Sequence, residues 1–397
     1  MVQTVRSDSP TTAPVARRIF FANLNGLRFL AAFAVVIDHI EGFRNSVGVY
    51  NHWQNPALPM LGQLGVTLFF VLSGFLITYL LLAEKEQFGR INFRDFYVRR
   101  TLRIWPLYYV VVLLALFVLP HISWMSYPGQ TEHATEHLGG KLLFYCLMLP
   151  NIARELYLPV PYLAQAWSIG VEEQFYLLWP WVIHYGRRYA LLLTGLALAF
   201  AVALQLPWFV TAPGREWITN TPTLDVLKNI LSALRMQSMC IGGLCAVPLY
   251  FRQSAVLRLL RSVPVQVGVW LLVPILAWDG RWLGPFTFEL YSLLFGVLIL
   301  NLADERHSLV ALRGPVLSYL GKISYGLYML HGLGMPIGLL AAQALTPDSA
   351  SLLHQGTMTF VTTAIAIGLA MLSYHFLEKP FLKYKKAFVK VKSGDEV

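Results

Sequence analysis

Arg28, Asp38 and His39 are three ionisable residues inside the first apolar run of the chain. Ionisable groups in membrane-length apolar segments are costly to bury, so each is a candidate for function. Arg28 and His39 are eleven residues apart. At 3.6 residues per turn this is about three turns, so both project from one helical face, roughly 16 Å apart. A cation at one depth and a titratable base at another suit a site with two openings. Histidine can take a proton or carry a transient covalent group, because its ordinary pKa lies near neutrality. The plainer readings are an arginine that snorkels to the headgroups and an interfacial histidine bonded to a neighbour.

Three further segments carry chemistry. In Arg99-Arg100-Thr101-Leu102-Arg103, Arg100 and Arg103 share a helical face. Guanidinium groups so placed can clamp phosphates through paired hydrogen bonds; an ordinary basic membrane anchor is the alternative. In Trp167-Ser168-Ile169-Gly170-Val171-Glu172-Glu173, Ser168 and Glu172 lie at i, i+4. Adjacent carboxylates one turn inside a membrane helix are hard to explain by packing, although an ion pair with Arg28 or Arg235 would satisfy one of them. In Ser324-Tyr325-Gly326-Leu327-Tyr328-Met329-Leu330-His331, Ser324, Tyr328 and His331 share a face, and His331 fits either a relay or a structural bond. Ser73-Gly74 is small and suits close helix packing. Glu289 has no evident partner. No histidines cluster at metal-ligand spacing.

The elements that must position these residues are membrane helices. Only 13% of the 397 residues are charged and 56% are hydrophobic, whereas soluble domains carry about 25% charged residues. The net charge of +10 is no sign of nucleic-acid binding, because the basic residues sit in short clusters between apolar runs. Cys146, Cys240 and Cys245 fall inside apolar segments and read as small buried hydrophobes. Apolar runs occur near 24–42, 60–83, 102–119, 141–151, 167–185, 190–210, 229–250, 265–278, 286–302, 323–345 and 356–377. The fourth is too short to span, and a re-entrant or interfacial helix is expected there. With ten spans, both termini are cytoplasmic. Arg17 and Arg18, the Arg99–Arg103 cluster, Arg187 and Arg188, Arg258 and Arg261, and the terminal lysines then lie inside. Arg44, Lys141, Arg154, Arg215, Lys228 and Arg281 lie outside. That asymmetry obeys the positive-inside rule. The expectation is an all-α polytopic membrane protein. It comprises a disordered cytoplasmic tail over 1–22, a transmembrane domain over 23–380 and a basic tail over 381–397 along the anionic inner leaflet. No cleavable signal peptide is evident. The proline-containing outer stretch 120–166 is expected to form a wall or lid.

Taken in order, these segments resemble the acyltransferase-3 family of membrane O-acyltransferases. The resemblance rests on Arg28 and His39, on Arg100 and Arg103 followed by Ile104, Pro106 and Tyr108, on Trp167–Tyr176, on Ser324–His331, and on Glu378-Lys379-Pro380. It covers nearly the whole chain, from about Asn25 to Pro380. Asn25 departs from the family, which often has Asp before Gly-Leu-Arg. The resemblance implies a multi-pass enzyme of the bacterial inner membrane. Such an enzyme takes an acetyl or similar group from cytoplasmic acyl-CoA and places it on a sugar hydroxyl of a surface polysaccharide, lipopolysaccharide or lipid-linked glycan. Some relatives carry an extracytoplasmic hydrolase-like domain, which a separate glycan-assembly partner could supply.

The roles that follow are these. Arg100 and Arg103, with Arg99 assisting, bind the CoA phosphates, and Arg28 anchors the donor. His39 is the general base or a transient acyl carrier. Glu172 or Glu173 orients His39 or holds Arg28. Ser168, Tyr328 and His331 contact substrate. Acetyl-CoA enters as a donor substrate, and no metal or permanently bound cofactor is implied. The rival class is a proton-coupled transporter or flippase, which also buries Arg, Asp, His and Glu. Transporters often show internal repeats, and none is visible here.

Overall fold

The computed structural model describes residues 19–127, 130–131, 133–210, 230, 234–280, 283–284, 286–389 and 391. The expected tail over 1–18, the outer-loop residues Arg215, Lys228 and Arg281, and the end of the chain from 392 lie outside the described residues.

The described chain is helical and contains no strand. In order it forms α1 (Ala22–Ser46), α2 (Ala57–Phe88), α3 (Phe93–Leu113), α4 (Leu138–Cys146), α5 (Pro150–Leu156), α6 (Trp167–Tyr185), α7 (Tyr189–Val210) and α8 (Met236–Tyr250). There follow α9 (Ser254–Leu260), α10 (Val263–Asp279), α11 (Thr287–Ala303), α12 (Pro315–Lys322), α13 (Ser324–Leu345), α14 (Leu352–Leu372) and α15 (Lys379–Lys385). In lipid every backbone group must be bonded internally, which selects helices over open strands.

Among the described residues, four helical segments are long and apolar enough to cross a membrane: Ala57–Phe88, Phe93–His121, Ser324–Leu345 and Leu352–Phe388. A fifth is α8 with α9, if that pair, bent by 116°, counts as one span. α1 and α6 are not among them, since α1 holds Arg28, Asp38, His39, Glu41 and Arg44 and α6 holds Glu172 and Glu173. Two of the helices that carry candidate chemistry thus fall short of the apolar character of a simple span. The expected short fourth run is two pieces, α4 of nine residues and α5 of seven, neither of them near the roughly 20 residues a span needs.

α2 is the central strut, packing on α1, α6, α8, α10 and α11. Its contact with α8 depends on glycine. A Cβ on Gly74 would overlap the Met239 carbonyl, and one on Gly242 would overlap the Val71 carbonyl. The two backbones approach closely because neither residue has a side chain, as in other small-residue membrane contacts. α13 and α14 form the other extensive pair. The final helix does not end where its apolar run ends. It passes through a π-helical turn, Ser373–Glu378, into α15. Such turns shift the helical face by one residue and recur at functional sites. Here the turn brings Glu378, Lys385 and Lys386 against the bundle interior, so part of the basic tail expected on the leaflet is instead cavity wall.

Candidate active site

The bundle encloses a cavity of about 560 Å³. Its wall takes in the start of α1, α3, α12 and the α14–α15 segment. Val66, Phe69, Ser168 and Tyr328 line it on α2, α6 and α13, where Val66, Ser168 and Tyr328 are buried. Arg28, Arg100, Arg103, Lys322, Lys385 and Lys386 line it, against the carboxylates Glu172 and Glu378. A concave site with excess positive charge and apolar inner walls fits a long ligand with an anionic head.

The three consecutive arginine positions divide by partner. Arg99 donates to Glu84 at 3.0 Å and to the Phe388 carbonyl at 2.8 Å, tying α3 to α2 and to the end of the last helix. It is not in the cavity wall. Arg100 and Arg103 both face the cavity. Neither has an ion pair or hydrogen bond among the described residues, and the buried Nε of Arg100 has no partner there. The Arg100 guanidinium rests against the rings of Phe96 and Tyr176, 5.7 and 5.6 Å from their centroids. Arg28 donates to Asn25 at 3.1 Å. At the position where the family often has Asp, the side-chain amide thus holds the arginine without neutralising it.

Deeper in, Glu172 accepts from Ser73 at 2.6 Å and from Tyr176 at 3.0 Å. Ser73, to which the sequence assigns only packing, is therefore part of the polar lining. No period-based signal marks it; only the approach of α6 to α2 does. Glu173 points elsewhere and accepts from the Trp105 indole at 3.2 Å. Neither carboxylate touches His39. In the buried part of the wall Ser168 and Tyr328 are 2.7 Å apart, and both reach the Gln165 carbonyl.

Beside this contact lies a histidine pair. His39 Nδ1 is 2.7 Å from His331 Nε2, and His331 Nδ1 is 2.7 Å from the Tyr328 carbonyl. A carbonyl only accepts, so His331 Nδ1 carries the proton. Neutral His331 then presents a bare Nε2, which accepts from His39 Nδ1. This leaves His39 Nε2 with a free lone pair, 4.0 Å from Asp38 Oδ2. The other Asp38 oxygen is buried and has no hydrogen-bond partner among the described residues. His331 is buried, whereas the His39 side chain is 29% exposed. His331 is thus found on His39, where the sequence suggested contact with substrate. Among the described residues no three His, Cys, Asp or Glu side chains group as a metal site.

A helical bundle with a basic cavity and a histidine pair bonded to the backbone of one of its lining residues, Tyr328, has the layout of a group-transfer site. Residues 21–372 match the acyltransferase-3 family, described as an acyltransferase domain, and the chain belongs to that family. It is 26% identical to the peptidoglycan O-acetyltransferase OatA of Listeria monocytogenes, over 94% of this chain and 58% of that protein. It is 27% identical to the putative peptidoglycan O-acetyltransferase YrhL of Bacillus subtilis, over 91% and 55%. A putative O-acetyltransferase of Staphylococcus aureus is 24% identical over 92% and 58%. The chain therefore spans little more than half the length of these relatives. No solved structure matches it.

Proposed function

We propose that this protein transfers an acetyl group from acetyl-CoA, entering on the basic side, to a hydroxyl of a cell-surface glycan on the opposite side of the membrane. The observation that carries the reading is that unpaired guanidiniums and the Ser168–Tyr328 hydroxyl pair line one cavity, and that the Tyr328 carbonyl holds His331, the partner of His39. The CoA phosphates take up the free donors of Arg100 and Arg103, assisted by Lys385 and Lys386. The pantetheine arm runs past Ser73 and Glu172. The thioester reaches His39 by displacing the Ser168–Tyr328 contact.

His39 Nε2 takes the proton of the acceptor hydroxyl as that oxygen attacks the thioester carbonyl. The carbon–sulfur bond breaks and CoA leaves as the thiolate. His331 holds the His39 tautomer, and Asp38 favours the imidazolium that forms. The same lone pair could first accept the acetyl group, giving an acyl-His39 that the hydroxyl then resolves; a rapid quench that traps acetyl on His39 distinguishes the two routes.

In this reading α1, α2, α3, α6, α7, α8, α10, α11, α13 and α14 cross a bacterial plasma membrane with both termini inside. The distribution of basic residues supports that topology, and the printed names of the relatives support a glycan acceptor. The test is acetyl-CoA consumption and glycan O-acetylation by membranes carrying wild type or His39→Ala at matched protein levels. Loss of both in the variant is expected. Wild-type membranes that consume no acetyl-CoA with any glycan acceptor would overturn the reading in favour of transport.

A further inference from the structure

A second group of cations lies beside the cavity wall. Arg154 projects from α5 and Arg235 stands at the start of α8. Their guanidiniums are 5.6 and 5.5 Å from the ring of one tryptophan, Trp167. Trp167 precedes Ser168 of the cavity wall. Gln63, which accepts a hydrogen bond from Arg235, is one helical turn from the wall residue Val66. Neither arginine lines the donor cavity, and Arg154 is close enough to His39 and Tyr328 for its charge to act on both.

The cluster is not a closed ion network, because no carboxylate makes a hydrogen bond to either guanidinium among the described residues. Arg235 makes no ion pair among the described residues. Its Nη1 is buried with no partner there, and it touches Gln63, the Trp167 ring and the Phe288 ring at 3.8 Å. Its backbone is held at φ 38°, a strained conformation for a non-glycine residue that persists where the surroundings demand it. Glu289 is within electrostatic range of Arg235 but makes no ion pair with it, and accepts its hydrogen bond from Gln237 at 3.2 Å. The nearest carboxylate to Arg154 is that of its own neighbour Glu155, at 3.8 Å, and the Arg154 side chain is 46% exposed. Two guanidiniums gathered on one indole repel each other, and the ring offsets only part of that cost. An anion bound by them offsets that repulsion, because arginines bind carboxylate or phosphate through several charge-assisted bonds.

We propose that Arg154 and Arg235, positioned by Trp167, form an acceptor subsite that selects an anionic sugar, one bearing a carboxylate or a phosphate near the hydroxyl to be acylated. The proposal rests on the acyltransferase reading for the word acceptor, but its charge recognition can be tested apart from turnover.

The experiment uses the purified full chain in nanodiscs with methyl glucoside, methyl glucuronide and glucose 1-phosphate. Equilibrium binding of each sugar is measured first, and then kcat/KM for acetyl transfer from labelled acetyl-CoA. Wild type should prefer at least one anionic sugar over the glucoside by about tenfold or more, the scale of one charge-assisted contact. Which one it prefers separates a carboxylate from a phosphate source. Arg154→Gln and Arg235→Gln should each collapse that ratio, and Arg235→Lys should restore part of it. A purely structural cluster would lower binding of all three sugars together and leave the ratio intact, which overturns the proposal, as does a wild type with no anionic preference. If wild type transfers no acetyl group, the acyltransferase reading falls, and the binding ratio alone decides the subsite.

Discussion

The cavity wall and the histidine pair handle polar groups in opposite ways. In the wall Arg100 and Arg103 keep their hydrogen-bonding capacity free, and the buried Nε of Arg100 is left without a partner. At the histidine pair every donor is committed, so that only one lone pair, on His39 Nε2, remains. A binding surface needs donors that a ligand can claim. A reacting group needs one fixed protonation state. In the proposed reading, an unpaired cation and a histidine left with a single free lone pair, each unusual in apolar surroundings, are two halves of one function.

The sharpest way to break the comparison is His39→Ala. It should lower kcat for acetyl transfer by about 10²–10⁴-fold, the usual contribution of a positioned base, with the protein still eluting as a folded monodisperse species. Near-normal turnover would make the pair structural.

Next in size is Arg100→Ala with Arg103→Ala. The KM for acetyl-CoA should rise by about 10–100-fold, the scale of a net loss of one charge-assisted bond of about 1.5–3 kcal/mol, the neighbouring lysines retaining part of the attraction. Initial rates across donor concentrations check this, and a fall in kcat alone would contradict it.

His331→Gln sharpens the other half. The tautomer lock is lost while the donor cavity is kept, so kcat should fall by about 10–100-fold, as for other histidine-orienting partners. KM for acetyl-CoA should change far less than in the arginine double variant. A rise in KM without a fall in kcat would return His331 to substrate contact.

The smallest kinetic effect belongs to Arg99→Gln. Arg99 is bonded to the buried Glu84, so its loss should appear as instability. Breaking such a pair costs about 3–5 kcal/mol. A thermal melt of the solubilised protein should show a clear drop, while KM for acetyl-CoA in the surviving fraction moves less than in the Arg100 and Arg103 variant.

Much of this site was legible before any coordinates. Arg28, Arg100, Arg103, Ser168, Glu172 and Tyr328 were singled out by burial cost and helical spacing, and all line the cavity. Spacing says which residues share a face but not what that face meets. Hence Glu173 looked equivalent to Glu172 yet turns to Trp105, and Arg99 looked like an accessory to its neighbours yet is a structural tie. Ser73, Lys385 and Lys386 gave no local signal, because they acquire their role only when α2 meets α6 and when the π-helical turn redirects the last helix.

The sequence by itself determined the helical, multi-pass character, because apolar run length and the placement of charge are local quantities that a bilayer reads directly. It also determined which side chains were too polar to be there by accident. Only the tertiary structure decided that His39 meets a residue 292 positions away, and that a backbone carbonyl on α13 sets the proton on that partner and so frees a nitrogen on His39. Helical periodicity carries no information about which helix packs against which. The bond between two imidazoles depends on distances set by the whole bundle.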